Sequence, residues 1–480
     1  PLTKTLEAQT ELAPAQYQFK HLSFQEGLFA QDLLLKAEEG WETWEDDEKA
    51  AGFLNNPFMN NTCRIAAGYL GSRLAKRRPA WDFSKPNMRL TEVGLQALWL
   101  ICEQNEKLKT LHLKHNAVGV RAEDGIGLSR MVSTSSALTT LGLGSNSLGE
   151  LKGYLRLVGR GLSSNKTLTF LDVSNNRLLP DGIKVLCNAL RTCTGLKYLD
   201  LSFNSPGREL ALSQMLQVHP TLRSFGVIEK EPTTRSEKTW WLDTRAKEAI
   251  GKALLSSKSC TIMYCQCDVF SLTETTESLN WTSKANCDAI VLAGVLRSNS
   301  VLKTLNVLAS DGEIGDYERE EIGNALIANK SGKVGYSDLY NLTEGMSPTH
   351  RVDLKDKEHI RSKKSFNLFA GLLRANQTLT NLTLANVGPD HSEVLADALA
   401  TNRTLKLLIL EQPSKSAPTA YASLPVQELN GALEVTSIDL FNAGGDQPVH
   451  KNACGVVGAL LGAAMGANLT IHTLKINPGG

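Results

Sequence analysis

Apolar residues recur along this chain in a fixed phrase. Leu108, Leu111 and Leu113 precede Asn116, and Leu138, Leu141 and Leu143 precede Asn146. Leu168, Leu171 and Val173 precede Asn176, and Leu196, Leu199 and Leu201 precede Asn204. From Leu108 to Leu138, Leu168 and Leu196 the steps are 30, 30 and 28 residues. The alternation inside each phrase predicts a short strand with its apolar side chains inward and its polar ones outward. Between phrases the apolar spacing changes to three and four, as in Leu155, Val158, Leu162 and Ile183, Leu186, Leu190, which predicts helices. One unit is therefore strand, turn, helix, turn. A single unit cannot bury its own apolar face, so the units must stack, and the expected fold class is an α/β solenoid. The Asn falls where the chain bends after the strand. Its amide is expected to bond backbone groups that the bend leaves unpaired.

The phrase resembles the leucine-rich repeats of the ribonuclease-inhibitor type. The joins Asn165-Lys-Thr-Leu168, Asn376-Gln-Thr-Leu379 and Asn402-Arg-Thr-Leu405 share in the resemblance, which spans roughly residues 80 to 480 and is more specific in the first half. It implies a leucine-rich repeat horseshoe of about twelve repeats, with parallel strands on the concave face and helices on the convex face. The Asn at each join is expected to end its helix in the left-handed conformation.

Residues 1–78 lack the phrase and are assigned as an amino-terminal helical cap or extension. Trp41 and Trp44 are expected to pack on the first repeat, and Lys76-Arg77-Arg78 to be a solvated helix end. Residues 79–480 form the solenoid, regular to about 228 and degenerate, with loop insertions, from 229 to 480. Trp81-x-Phe83 marks the first strand, and Leu222-x-x-Phe225-x-Val227 continues the regular series. Later phrases start at Cys260, Leu302, Leu379, Leu405, Val435 and Ile471, with a weak one at Val334-x-Tyr336. Loops are expected at 229–245 with Trp240-Trp241, at 268–284 with Trp281, at 341–364 and at 411–425.

Composition narrows the function. Over 480 residues, 51 basic and 50 acidic side chains leave a net charge of +1, which argues against nucleic acid and anionic membrane as general partners. The nine cysteines are scattered, whereas the resemblance implies cysteine clusters in the end caps of a secreted leucine-rich repeat protein, so a reducing, intracellular compartment is expected. Cys260, Cys265 and Cys267 are read as core filling, since Cys260 and Cys265 occupy inward slots and no metal-type pairing accompanies them. His112 and His115 lack the partners that catalysis or metal binding needs. The glycine-spaced stretch from Ala453 to Ala467 is short for a membrane span and reads as a closely packed repeat helix. No secretory signal is visible. The chain opens Pro1-Leu2-Thr3 and closes Asn477-Pro478-Gly479-Gly480, so both natural ends are expected to lie outside it. No phosphate-binding loop, dinucleotide fingerprint, nucleophile elbow or His-Glu-x-x-His is found, so no catalytic residue, cofactor or metal is assigned.

The candidate chemistry is recognition. Outward positions of neighbouring strands lie about 4.8 Å apart. Phe170 should stand beside Tyr198 and Asp172 beside Asp200, an aromatic pair next to an acidic pair. Tyr264 is the matching outward position of a later strand, and Trp240 and Trp241 are the loop candidates. Such surfaces suit a protein offering a cation and an apolar anchor. The expected function is a non-enzymatic protein–protein interaction scaffold. It would be a structural or adaptor subunit of a large cytoplasmic assembly, with ciliary or cytoskeletal complexes favoured. The alternatives are a regulator of a small GTPase resembling the Ran GTPase-activating protein, whose acidic tail is absent here, and a ribonuclease-inhibitor-like binder.

Overall fold

The computed structural model describes residues 2–6, 16–19, 22–39, 42–44, 46–74, 78–151, 153–207, 210–228, 242–257, 259, 262–283, 286–309, 315–329, 333–354, 362–413, 418–430, 437–440, 457–458, 460–462 and 473–476. The chain divides into two compact units, Pro1–Leu242 and Asp243–Gly480.

The first unit opens with an antiparallel pair, β1 (Leu2–Leu6) and β2 (Gln16–Phe19), and three helices, α1 (Leu22–Glu39), α2 (Asp47–Leu54) and α3 (Asn60–Leu74). Strands and helices then alternate: β3 (Ala80–Asp82), α4 (Glu92–Glu103), β4 (Thr110–His112), α5 (Ala122–Thr134), β5 (Thr140–Gly142) and α6 (Tyr154–Ser164). The series continues through β6 (Phe170–Asp172), α7 (Pro180–Leu190), β7 (Tyr198–Asp200), α8 (Ala211–Val218) and β8 (Ser224–Val227). Strands β3 to β8 lie side by side in chain order, all parallel and in one register through Trp81, Leu111, Leu141, Leu171, Leu199 and Phe225. Those six side chains are buried, and so are Val158, Leu162, Ile183 and Leu186 on the helices. A parallel sheet with alternating helices is what an α/β solenoid requires. Trp44 is buried and stacks on Trp81 of β3 at 6.2 Å between ring centroids, as the sequence suggested, while Trp41 lies outside the described residues.

The asparagines do more than close their own turns. Asn146 is fully buried and uses its whole amide. Its Oδ1 accepts from the backbone N–H of Asn116 (2.8 Å) and Val118 (3.2 Å), one unit back. Its Nδ2 donates to the carbonyls of Leu113 (2.7 Å) and Gly144 (3.1 Å). Asn176 repeats this on Asn146, Leu148, Leu143 and Ser174, and Asn204 repeats it on Asn176, Leu178, Val173 and Leu201. The amides form a ladder that stitches each turn to the one before. The residue ahead of each ladder Asn (His115, Ser145, Asn175, Phe203) has a positive φ.

A second ladder runs along the helix ends, and here the expected left-handed caps are corrected. Asn165, Asn376 and Asn402 are extended, with φ/ψ of −76/137, −65/129 and −68/126. The side chain, not a reversed backbone, makes the join. Asn165 Oδ1 accepts from Thr167 and Leu168 N–H, while Nδ2 donates to Val132 O of the preceding unit at 2.7 Å. Asn376 and Asn402 bond in the same way, and Asn299, Asn329 and Asn430 donate back likewise. In β8's unit this slot holds His219, whose Nδ1 accepts from Leu222 N–H at 3.1 Å.

The second unit holds α9 (Thr244–Ser256), β9 (Tyr264–Cys267), β10 (Ser271–Leu272), β11 (Ser278–Ser283), α10 (Asn286–Leu296), β12 (Thr304–Ala309) and α11 (Asp316–Ala328). Next come β13 (Thr349–Asp353), α12 (Lys363–Ala375), β14 (Asn381–Ala385), α13 (Pro389–Thr401), β15 (Leu407–Pro413), β16 (Pro418–Pro425), α14 (Val426–Leu429), β17 (Ser437–Leu440) and β18 (Thr473–Ile476). Three expected loops prove to contain strands. β11 pairs in parallel with β12, placing Leu279 opposite Leu305 and the buried Trp281 opposite Val307. β13 pairs in parallel with β14, with His350 opposite Leu382 and Val352 opposite Leu384. β16 runs antiparallel along β15, as β10 does along β9. The phrases at Val435 and Ile471 meet as the parallel pair β17–β18. Within the glycine-spaced stretch, Leu460 and Leu461 are buried while Gly458 and Gly462 are exposed.

Two measurements test the ladders. Asn176→Ala orphans the N–H groups of Asn146 and Leu148 and the carbonyl of Leu143, while Ser174 O keeps the Ser145 N–H, so urea denaturation should show a loss of about 3 kcal/mol. Burial holds the His219 imidazole neutral and its pKa below the ordinary value. The folded state then binds fewer protons than the unfolded state. Stability should be full above about pH 6.5 and fall as pH drops below it. His219→Asn should flatten that acid slope.

Candidate protein-interaction surface

The outward side chains of β3 to β8 form rows across the strands. One row is Ala80, Thr110, Thr140, Phe170, Tyr198, Ser224; the next is Asp82, His112, Gly142, Asp172, Asp200, Gly226. Phe170 and Tyr198 are half-buried neighbours with ring centroids 6.3 Å apart and a tilt of 36°. That offset geometry is favourable for an aromatic pair and leaves ring surface open.

The carboxylates have a local task first. Asp172 Oδ1 accepts from Ser174 N–H at 2.8 Å, and Asp200 Oδ1 from Ser202 N–H at 2.9 Å. Asp82 does the same with Ser84 at 2.9 Å. Each Asp-x-Ser thus fastens the chain as it leaves its strand. Two like charges on adjacent strands repel, and the glycines give them room to part. A Cβ on Gly144 would come within 3.0 Å of Asp172 Oδ2, and one on Gly226 within 2.7 Å of Asp200 Oδ1. Asp172 therefore leans toward β5 and Asp200 toward β8. The result is two half-buried carboxylates on either side of an aromatic pair's strands, each able to receive a cation.

Asp82 belongs to this row, and sequence reasoning missed it although its Asp-x-Ser spacing matches the other two. Burial pushes its carboxyl up, but the Ser84 hydrogen bonds and the nearby His112 and Lys85 charges outweigh this and hold it below the ordinary value. His112 is half-buried on the same row, while His115 is exposed in the turn beyond.

The remaining candidates fare differently. Tyr264 is only 7% exposed, so it is a buried side chain rather than a free outward one. In β9 both Tyr264 and Cys265 are buried, so the two-residue alternation has broken down there. Trp240 and Trp241 lie outside the described residues. Cys265 is fully buried and Cys267 half-buried, and among the described residues no group of three metal-type ligands is gathered. Among those residues, too, no helix is long and apolar enough to cross a membrane.

Comparison with known proteins adds little. No family model matches the chain, and no curated protein matches it. Among solved structures it is similar to the leucine-rich repeat-containing protein LegL7 from Legionella pneumophila. The identity is 16%, over 68% of this chain and 92% of that one, with a TM-score of 0.29. So weak a superposition carries no argument. The leucine-rich-repeat-like character of this fold rests on its own strand, asparagine and helix period.

The turn bond separates structure from recognition at the two aspartates. Asp172→Asn and Asp200→Asn keep an oxygen acceptor and should leave the urea midpoint unchanged. Asp172→Ala and Asp200→Ala should each cost about 1 kcal/mol.

Proposed function

We propose that this chain is a non-enzymatic protein-binding scaffold, a structural or adaptor subunit of a large intracellular assembly, with ciliary or cytoskeletal complexes favoured. In this reading it is a leucine-rich-repeat array of ribonuclease-inhibitor-like type and about twelve units, with its strands on the inner face. The observation that carries the reading is the row of Phe170 and Tyr198 beside Asp172 and Asp200. A preformed array of this kind presents many side chains with little ordering cost on association. Its partner is a protein segment with Arg or Lys next to an apolar anchor, which pairs charge for specificity and aromatic contact for affinity.

The test is affinity purification with crosslinking on the full chain and on an Asp172→Asn/Asp200→Asn/Phe170→Ala/Tyr198→Ala variant. The same partners should be captured at least tenfold less by the variant, with crosslinks of the parent mapping to β6 and β7. An unchanged partner set would count against this surface. Stimulated GTP hydrolysis or ribonuclease inhibition by the purified chain would count against a pure scaffold.

A further inference from the structure

Helices α1 and α3 leave an apolar surface uncovered. On α3, Ile65 is 50% exposed and Tyr69 62%, and Phe58 just before it is 86% exposed. Arg64, Ile65, Gly68, Tyr69 and Ser72 share one helical face, and the opposite face carries the buried Cys63, Ala66, Ala67 and Leu70. On α1, Leu28 (53%) and Leu35 (58%) lie two turns apart on the side opposite the buried Ala30. The two helices pack together, and Asn61 Nδ2 donates to Glu26 Oε2 at 2.6 Å between them. The end of a repeat stack needs a polar outer side, and these stripes are the reverse.

Charge indicates what covers them. Residues 22–51 carry Glu26, Asp32, Glu38, Glu39, Glu42, Glu45, Asp46, Asp47 and Glu48 against only Lys36 and Lys49. Residues 55–79 carry Arg64, Arg73, Lys76, Arg77 and Arg78 and no acidic residue. The two stretches already attract each other inside one chain, where Arg78 Nη2 stands 2.9 Å from Asp47 Oδ1. One chain therefore holds both halves of a complementary surface, which is what a two-fold interface needs.

We propose that a second copy of this chain docks on α1 and α3. The acidic α1–α2 stretch of each copy faces the basic α3 stretch of the other, and Leu28, Leu35, Phe58, Ile65 and Tyr69 fill the centre. Helices of this length are about 27 and 22 Å long. Side by side they offer roughly 500 Å² per copy, less than the roughly 800 Å² of a standard interface. The dimer is accordingly weak and concentration-dependent.

Sedimentation equilibrium of the full chain from about 1 to 100 µM tests this. The weight-average mass should climb toward twice the monomer value, and salt at about 0.5 M should weaken association several-fold. Phe58→Ser/Ile65→Ser/Tyr69→Ser should stay monomeric at every concentration with an unchanged thermal midpoint. Should that triple variant misfold, Arg64→Glu gives the second reading, with association at least tenfold weaker. A monomer at all concentrations overturns the proposal, including the case where the same residues bind phosphatidylserine vesicles instead. Parent-like association of the folded variants overturns it too.

Discussion

From Asn116 to Asn204, each turn of the first unit is held to the one before by a buried carboxamide. A strand, a bend and a helix of about 30 residues leave N–H and C=O groups unpaired wherever the backbone changes direction. Burying such groups without partners costs about 1–3 kcal/mol each. Asn answers that demand at both bends because one short side chain carries two donors and two acceptor lone pairs. Asp would lack the donors, and Leu would lack everything. Asn146, Asn176 and Asn204 spend their amides on the backbone of the turn before, so each bond is both a local closure and a contact between units.

The outward rows depend on that stitching. Phe170 sits opposite Tyr198, and Asp172 opposite Asp200, only because consecutive turns keep one register. A slip of one residue would exchange the inward leucines with the outward row. The small residues then shape what the rows display. Glycine at 144 and 226 lets the two carboxylates lean apart, so the face tolerates adjacent like charges. The hydrogen bonds from Ser174 and Ser202 fix each carboxylate at one oxygen, and Asp172 Oδ2 lies over Gly144.

The first unit was legible in the sequence because its phrase is complete. From Leu108 to Val227 every inward slot holds an aliphatic or aromatic residue, and four consecutive bends hold Asn. The second unit was legible where its slots stay apolar, as in Leu382-x-Leu384 and Leu408-x-Leu410, and in the Cys and Met slots that lead into β9. β11 hid behind Thr276 in the first slot and Trp281 in the last, and β13 behind Ser347 and His350. The hydroxyls of Thr276 and Ser347 accept locally, from the N–H groups of Thr273 and Thr349. The helix-end Asn series at 299, 329, 376, 402 and 430 was present in the sequence as a quieter signal. Read as a left-handed cap it predicted only a helix stop, whereas its side chains bridge units. At the surface, spacing alone placed the aromatic and acidic pairs, but the lean of each aspartate came from glycines on neighbouring strands. Tyr264 failed as a surface residue because the alternation had already broken down in β9.

Amide hydrogen exchange addresses the ladder most directly. The N–H groups of Asn116, Asn146, Leu148, Asn176 and Leu178 lie in bends, outside strands and helices, and bond only to asparagine side chains. They should exchange as slowly as the amides of β4 to β7, opening only with the unit as a whole. Exchange at the rate of exposed loops, while the strands stay protected, would show that the carboxamides do not hold the turns together.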